Sequence, residues 1–166
     1  MEIRHTKPVD MPRLLEIFSY AREYMAQNGN PHQWGDRNWP TAFAIEKDIK
    51  SNKSYVCEKD GKIVATFFLD YGPDIEPTYL NITDGAWLSN TPYCVIHRIA
   101  SDGSHKGAGT YCINWALEKY GHMRIDTHED NIIMQNLLKK LGFTLCGTIY
   151  IDGDSCPRLA FEKSVL

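Results

Sequence analysis

Apolar and polar positions recur with two periods along the chain, and the switches between them mark its elements. Met1 to Lys7 reads as a short strand. Pro8 and Asp10 then open a helix, with Asp10 as its N-cap and Pro12 tolerated in the first turn. Leu14, Ile17, Phe18, Ala21 and Met25 recur at helical spacing and give one apolar face. Asn28-Gly29-Asn30-Pro31 stops that helix. A loop with His32, Gln33, Trp34 and Trp39 follows, and Thr41 caps a second, shorter helix to about Ile49. Ser54 to Glu58 and Ile63 to Leu69 are β-rich runs around Lys59-Asp60-Gly61-Lys62, where Asp-Gly predicts a hairpin turn. Asp70 to Pro92 is rich in turn formers, with Tyr79 to Thr83 as irregular or short strand. Tyr93 to Ala100 reads as a strand.

From Gly107 the period is helical again, with Ala108, Tyr111, Cys112, Trp115 and Ala116 on the buried face and Gly121 at the end. Met123 to His128 alternates Met123, Ile125 and Thr127 against Arg124, Asp126 and His128, a period of two that predicts a strand. Another helix starts near Asn131, buries Met134, Leu137, Leu138 and Leu141, and stops at Gly142. Thr144 to Ile151 and Arg158 to Glu162 close the chain as β-rich runs around the turn Asp152-Gly153-Asp154. The order is β-α-α-β-β-β-α-β-α-β-β. Hairpins mixed with strand–helix units imply an α/β fold with a mixed sheet and helices on its faces. No repeat, low-complexity stretch or Gly/Ser linker divides residues 1–166, so a single domain is expected.

Composition narrows the function classes. The chain has 166 residues, 43% hydrophobic and 23% charged, as ordinary globular domains do. Its formal charge is -3, so it lacks the basic surplus of a nucleic-acid binder. The apolar run Ile63 to Leu69, broken by Thr66, is far short of the ~20 residues of a membrane span. Met1-Glu2-Ile3-Arg4-His5 lacks the apolar core of a signal peptide. Neither nucleic acid nor membrane is expected as a partner. The five cysteines, Cys57, Cys94, Cys112, Cys146 and Cys156, are odd in number and show no C-x-x-C spacing. They suggest neither a disulfide framework nor a metal site, and reduced thiols point to the cytoplasm.

The candidate chemistry lies in Val95 to Thr110. There a strand runs into a polar loop and then into a helix whose first turn holds Gly107 and Gly109. The first N–H groups of a helix lack internal partners and, with the helix dipole, favour a phosphate. Glycines without a Cβ let a diphosphate approach the backbone, and His105 and Lys106 add positive charge. The alternative is a tight entry turn into a helix. No Gly-Lys-Ser/Thr marks a P-loop, and the third glycine of a dinucleotide fingerprint is missing.

A second motif follows at the right separation. Asn131, Leu137, Gly142 and Phe143 stand at the spacing N-x-x-A-x-x-L-Y-x-x-x-G-F, with Met134 at the small-residue position. Together with the glycine loop and the element order, the chain resembles the GNAT family of acyl-CoA-dependent N-acyltransferases over essentially its whole length. The resemblance implies a mostly antiparallel, splayed central sheet flanked by helices. It implies acetyl-CoA as acyl donor, an amine of a small molecule or peptide as acceptor, no metal, and a tendency to form homodimers. It also implies CoA contacts from Ile99, Ala100 and Ser101, pairing with the pantetheine arm, from the loop Ser104, His105, Lys106, Gly107, Ala108, Gly109 and Thr110, and from Asn131. Two positions depart from the family pattern. Ser104 occupies a slot usually filled by Gln or Arg, and Leu138 replaces the Tyr that often protonates the departing thiolate.

Amine acylation needs a proton acceptor, because at neutral pH a lysine-like amine is almost wholly protonated. Histidine titrates in the useful range. His97, on the strand that the family uses to hold the thioester, and His128, at the end of the following strand, are the candidates, with Glu129 behind them. Strand alternation predicts that His97 and Arg98 point to opposite faces. The competing readings are a hydrogen-bonded core residue for His97 and a solvated loop residue for His128. For Glu129, Asp130 and Asn131 the competing role is helix capping. Trp34 is the candidate for the acceptor wall, against simple anchoring of its loop. Cys94 and Cys146 lack an evident base, which favours direct attack over a covalent intermediate. Two alternatives stand beside the acetyltransferase. One is a module of this fold that binds CoA without turnover, and the other an unrelated α/β nucleotide-binding domain.

Overall fold

A computed structural model describes residues 1–165. The elements follow the predicted order: β1 (Glu2–His5), α1 (Met11–Gln27), α2 (Ala42–Lys50), β2 (Ser54–Lys59), β3 (Lys62–Gly72), β4 (Tyr93–Ser101), α3 (Ala108–Tyr120), β5 (His122–His128), α4 (Ile132–Lys140), β6 (Thr144–Ile149) and β7 (Arg158–Ser164). Short 3-10 turns cover Pro8–Asp10 and Pro77–Asn81. Among the described residues no helix is long and apolar enough to cross a membrane.

The chain forms two compact units, Met1–Leu69 with Ile96–Asn114 and Asp70–Val95 with Trp115 onward. In the first, hydrogen bonding orders the strands β1-β2-β3-β4; in the second it orders them β4-β5-β7-β6. β1 with β2, β2 with β3, β5 with β7 and β6 with β7 pair antiparallel, whereas β4 with β5 is parallel at Cys94–Met123 and Val95–Arg124. β4 gives Tyr93–Val95 to the second unit and Ile96–Ser101 to the first, where it is the last strand.

Local chemistry accounts for most boundaries. The β2–β3 hairpin closes at Lys59–Lys62, with Asp60 and Gly61 both at positive φ, as a two-residue turn requires. Thr41 Oγ1 accepts the Ala44 N–H and starts α2. α1 buries Leu14, Ile17, Phe18 and Ala21 against Trp34, Ile45, Val56 and Ala100 in the core of the first unit.

Local pattern and structure part at three places. Of its two alternatives Tyr79–Thr83 takes the irregular one: a 3-10 turn fills most of it, and Thr83 makes a bridge to Thr148. β5 does not alternate, because six of its seven residues are buried and both faces are covered. Asp10 precedes α1 but makes no side-chain cap. Its carboxylate instead accepts the Lys7 N–H and pairs with Arg4 at 2.7 Å.

That pair predicts a pH dependence. The hydrogen bond from Arg4 holds the Asp10 carboxyl below its usual range despite burial, with help from the Lys7 N–H. The folded state therefore binds this proton more weakly than the unfolded chain. The stabilisation is present above the ordinary aspartate value of about 3.9 and is lost as pH falls through the depressed folded value. Asp10→Asn should lower stability at neutral pH and flatten the acid limb of a urea-midpoint profile. An unchanged acid slope would count against the assignment.

Candidate functional site

The glycine loop lies in the first unit. Asp102 N–H donates to Val64 O at 3.0 Å, so the loop leaves β4 still tied to β3. Ser104 donates to Asp102 Oδ1 from its N–H at 2.9 Å and from its hydroxyl at 2.6 Å. Arg13 pairs with the same carboxylate and also donates to Ile63 O. Burial opposes the Asp102 carboxylate, but Ser104 and Arg13 outweigh it and hold its pKa below the usual range. Ser104 thus braces the loop from within, in a slot where the family usually carries a longer side chain.

The two glycines differ in what demands them. Gly107 sits at φ +88°, which L side chains rarely adopt, so the turn into α3 itself requires it. Gly109 needs no such φ, and a Cβ there would meet nothing within 4 Å. The fold leaves the space over Gly109 open, as a closely approaching diphosphate would need. Ala108 N–H returns to His105 O at 3.3 Å and Tyr111 N–H to Gly107 O at 2.9 Å. The N–H groups of Gly109 and Thr110 lie between these, in the first turn of α3. His105 is half-buried and Lys106 exposed beside them. Ile99 and Ser101 are half-buried and Ala100 is buried. β4 pairs with β5 at Cys94 and Val95, and these three lie further along the strand, where an extended chain could pair.

His97 and Arg98 do not obey alternation. Arg98 has φ +52°, a left-handed residue inside β4. The resulting kink brings both side chains to one ring: His97 stacks on Phe68 at 5.8 Å, and the Arg98 guanidinium lies 4.6 Å from the same centroid. Trp39 is 5.8 Å from that guanidinium. Asp48 of α2 grips Arg98 from the side, with Nε–Oδ2 at 2.8 Å and Nη2–Oδ1 at 2.9 Å. Burial raises the Asp48 carboxyl pKa, while the charges of Arg98 and His97 pull it back. Asp48 escaped the sequence reading because its partner is fifty positions away. One signal was available: a carboxylate between Ile45 and Ile49, on the inward face of a short helix.

Trp34 is 8% exposed and packs edge-on against Phe18 at 5.9 Å, so it is part of the core. Trp39, half-buried, is the tryptophan of this loop that faces a charged group. Burial pushes the Cys94 thiol up to about 12 and the Cys146 thiol up to about 11, the wrong direction for a nucleophile. Among the described residues no cluster of His, Cys, Asp and Glu could hold a metal ion.

The second unit carries the other motif. His128 is 2% exposed, not solvated, and its Nδ1 accepts the Asp130 N–H at 3.1 Å. That bond leaves Nε2 as the ring's donor. Gln135 closes the same turn onto Glu129 O at 2.7 Å. Asn131 is the N-cap of α4, its Oδ1 accepting the Met134 N–H at 3.1 Å, so neither Glu129 nor Asp130 caps that helix. Leu138 is fully buried and offers no proton donor.

Comparisons with known proteins agree with this architecture. The family model described as Acetyltransferase (GNAT) family matches residues 15–143. A GNAT-family acetyltransferase structure from Streptococcus agalactiae 2603 is 31% identical, with TM-score 0.87, over 99% of this chain and 95% of that one. Two more distant structures share the fold. A GNAT-family acetyltransferase from Listeria monocytogenes 4b F2365 has 16% identity and TM-score 0.70, over 99% and 94%. A ribosomal-protein-alanine N-acetyltransferase from Brucella melitensis has 18% identity and TM-score 0.66, over 99% and 100%. No curated protein matches the sequence significantly. With its family model covering most of the chain and its strands and helices in the matching order, the protein belongs to the GNAT acetyltransferase family.

Proposed function

We propose that residues 1–166 act as one acetyl-CoA-dependent N-acetyltransferase domain that acetylates a primary amine of a small molecule or peptide by direct attack in a ternary complex. The observation that carries this reading is the open backbone at Gly109, in the first turn of α3 after the Gly107 turn and the end of β4. Residues Ser104 to Thr110 fit a diphosphate, and Ile99, Ala100 and Ser101 fit an extended arm. Acetyl-CoA supplies a thioester carbonyl to this strand. A backbone N–H of β4 stabilises the developing oxyanion. His97 takes the proton that the amine loses as the C–N bond forms and the C–S bond breaks. Leu138 offers no proton to the departing thiolate, which draws it from water instead. The buried thiols of Cys94 and Cys146, held protonated by burial, support direct attack over an acyl-enzyme at either.

Acetyl-CoA consumption across a panel of amines, amino acids and peptides tests the reading, and no turnover of any acceptor would reject it. Gly109→Glu tests the diphosphate site. A Cβ there meets no atom within 4 Å, so folding should be preserved. Two like charges about 8 Å apart at an effective dielectric of ~20 cost about 2 kcal/mol, or roughly 30-fold in Kd. Unchanged CoA affinity by calorimetry would remove the diphosphate from this loop.

A second reading is a CoA-binding member without turnover. Leu138, at the position of the family's usual proton donor, favours it. Tight CoA binding with no acetyl transfer to any amine would select it.

A further inference from the structure

We infer that the acceptor carries a carboxylate near its amine and that Arg98 holds that carboxylate; this rests on the acetyltransferase reading. A guanidinium has five N–H donors. Asp48 uses the side-on pair, Nε–H and one Nη2–H. No acceptor among the described residues takes the end-on pair formed by Nη1 and the second Nη2–H. That edge has the spacing of a planar carboxylate, which it can bind with two parallel bonds.

The guanidinium is also fixed in advance. Asp48 grips it from one side, and Phe68 and Trp39 pack against it. Its side chain remains 18% exposed, enough for a ligand to reach. Fixing a long side chain beforehand removes much of the ordering cost of binding. The left-handed backbone at Arg98 costs of order 1–3 kcal/mol, and such outliers persist where a site needs them. Its effect here is specific. Without the kink, alternation would send Arg98 to the face opposite His97. With it, both contact Phe68, so the carboxylate anchor adjoins the proton acceptor. An amine and a carboxylate separated by few bonds, as in an amino acid or a short peptide, match that juxtaposition. Asp48 completes the arrangement by balancing the charge of Arg98, so an approaching ammonium meets no uncompensated cation.

The test uses the full chain, acetyl-CoA, and matched acceptor pairs: amino acids and dipeptides against their C-terminal amides, with aminoalkyl phosphates as a third arm. The wild type should show KM for the acids roughly 10- to 100-fold below that for the amides, the range of charge-assisted hydrogen bonds. Arg98→Gln should bring the ratio close to one while KM for acetyl-CoA stays in place. Because that variant strands the half-buried Asp48 carboxylate, Arg98→Gln with Asp48→Asn provides a second, charge-balanced test. Arg98→Lys keeps the charge but lacks the fork, and should lose most of the preference. Equal use of acids and amides by the wild type, a preference for the phosphates, or a preference that survives in the charge-balanced variant would each overturn the inference. Turnover of no acceptor of any kind would instead reject the acetyltransferase reading, and the inference with it.

Discussion

Replacing Glu162 by glutamine should destabilise the protein by about 3–5 kcal/mol, the usual cost of removing one partner from a buried charged cluster. Glu162 is 1% exposed and lies directly across from Arg124 in the β5–β7 register. Its Oε1 meets His122 Nε2 at 2.5 Å and Arg124 Nε at 3.3 Å, and its Oε2 accepts the Leu88 N–H at 2.5 Å. Arg124 also donates to Ser89 O and lies between the rings of Trp87, at 4.4 Å, and Tyr93, at 4.2 Å. One carboxylate therefore balances the buried Arg124 guanidinium, bonds His122 and pins the Trp87–Ser89 loop to the strands of the second unit. Glutamine keeps the volume but removes the charge and presents N–H groups where acceptors are needed. For a chain of this size the melting temperature should fall by roughly 6–20 °C. A loss below about 1 kcal/mol, which is no more than a surface ion pair contributes, would show that the cluster does not hold the loop as described.

His97→Gln should lower kcat by roughly 10²–10⁴-fold near neutral pH, the range for loss of a general base. Part of the rate should return at higher pH, where more of the amine is deprotonated unaided. His97 is half-buried and its ring lies against Phe68, so glutamine retains polar volume and some packing. CoA affinity and melting temperature should change little. If His97 only packs the core, the pattern reverses, with lost stability and intact turnover per folded molecule. Near-normal turnover by folded His97→Gln protein would remove it from the mechanism. The two variants also separate stability from chemistry, since Glu162→Gln should act on the former and His97→Gln on the latter.

Much of the fold was legible because its signals are local. The spacing of Leu14, Ile17, Phe18 and Ala21 sets the buried face of α1, and Asp60-Gly61 supplies the positive φ values of the hairpin. Gly107 before α3 and Asn131 before α4 mark helix starts through the chemistry of their own turns. Other assignments failed where a distant partner outcompeted a local role. Asp10 has the type and position of an N-cap, but Arg4 and the Lys7 N–H claim its carboxylate. Met123 to His128 alternates in sequence, yet both faces of β5 are buried because polar residues such as Arg124 find buried partners.

By itself the sequence determined the order of elements, the glycine loop, and the candidate groups His97, Gly107, Gly109 and Asn131. Each of these depends on residues a few positions apart and on backbone preferences that act within a turn. Only the tertiary structure decided that Trp34 is core, that His128 is buried in a turn, and that Glu162 gathers His122 and Arg124. Only it joined Asp48 to Arg98 and kinked β4 so that Arg98 and His97 share Phe68. The reason is physical. A strand's pattern tells which faces alternate, but a single left-handed residue resets that alternation. A buried charge's partner is chosen by packing in three dimensions, across separations that no local period records.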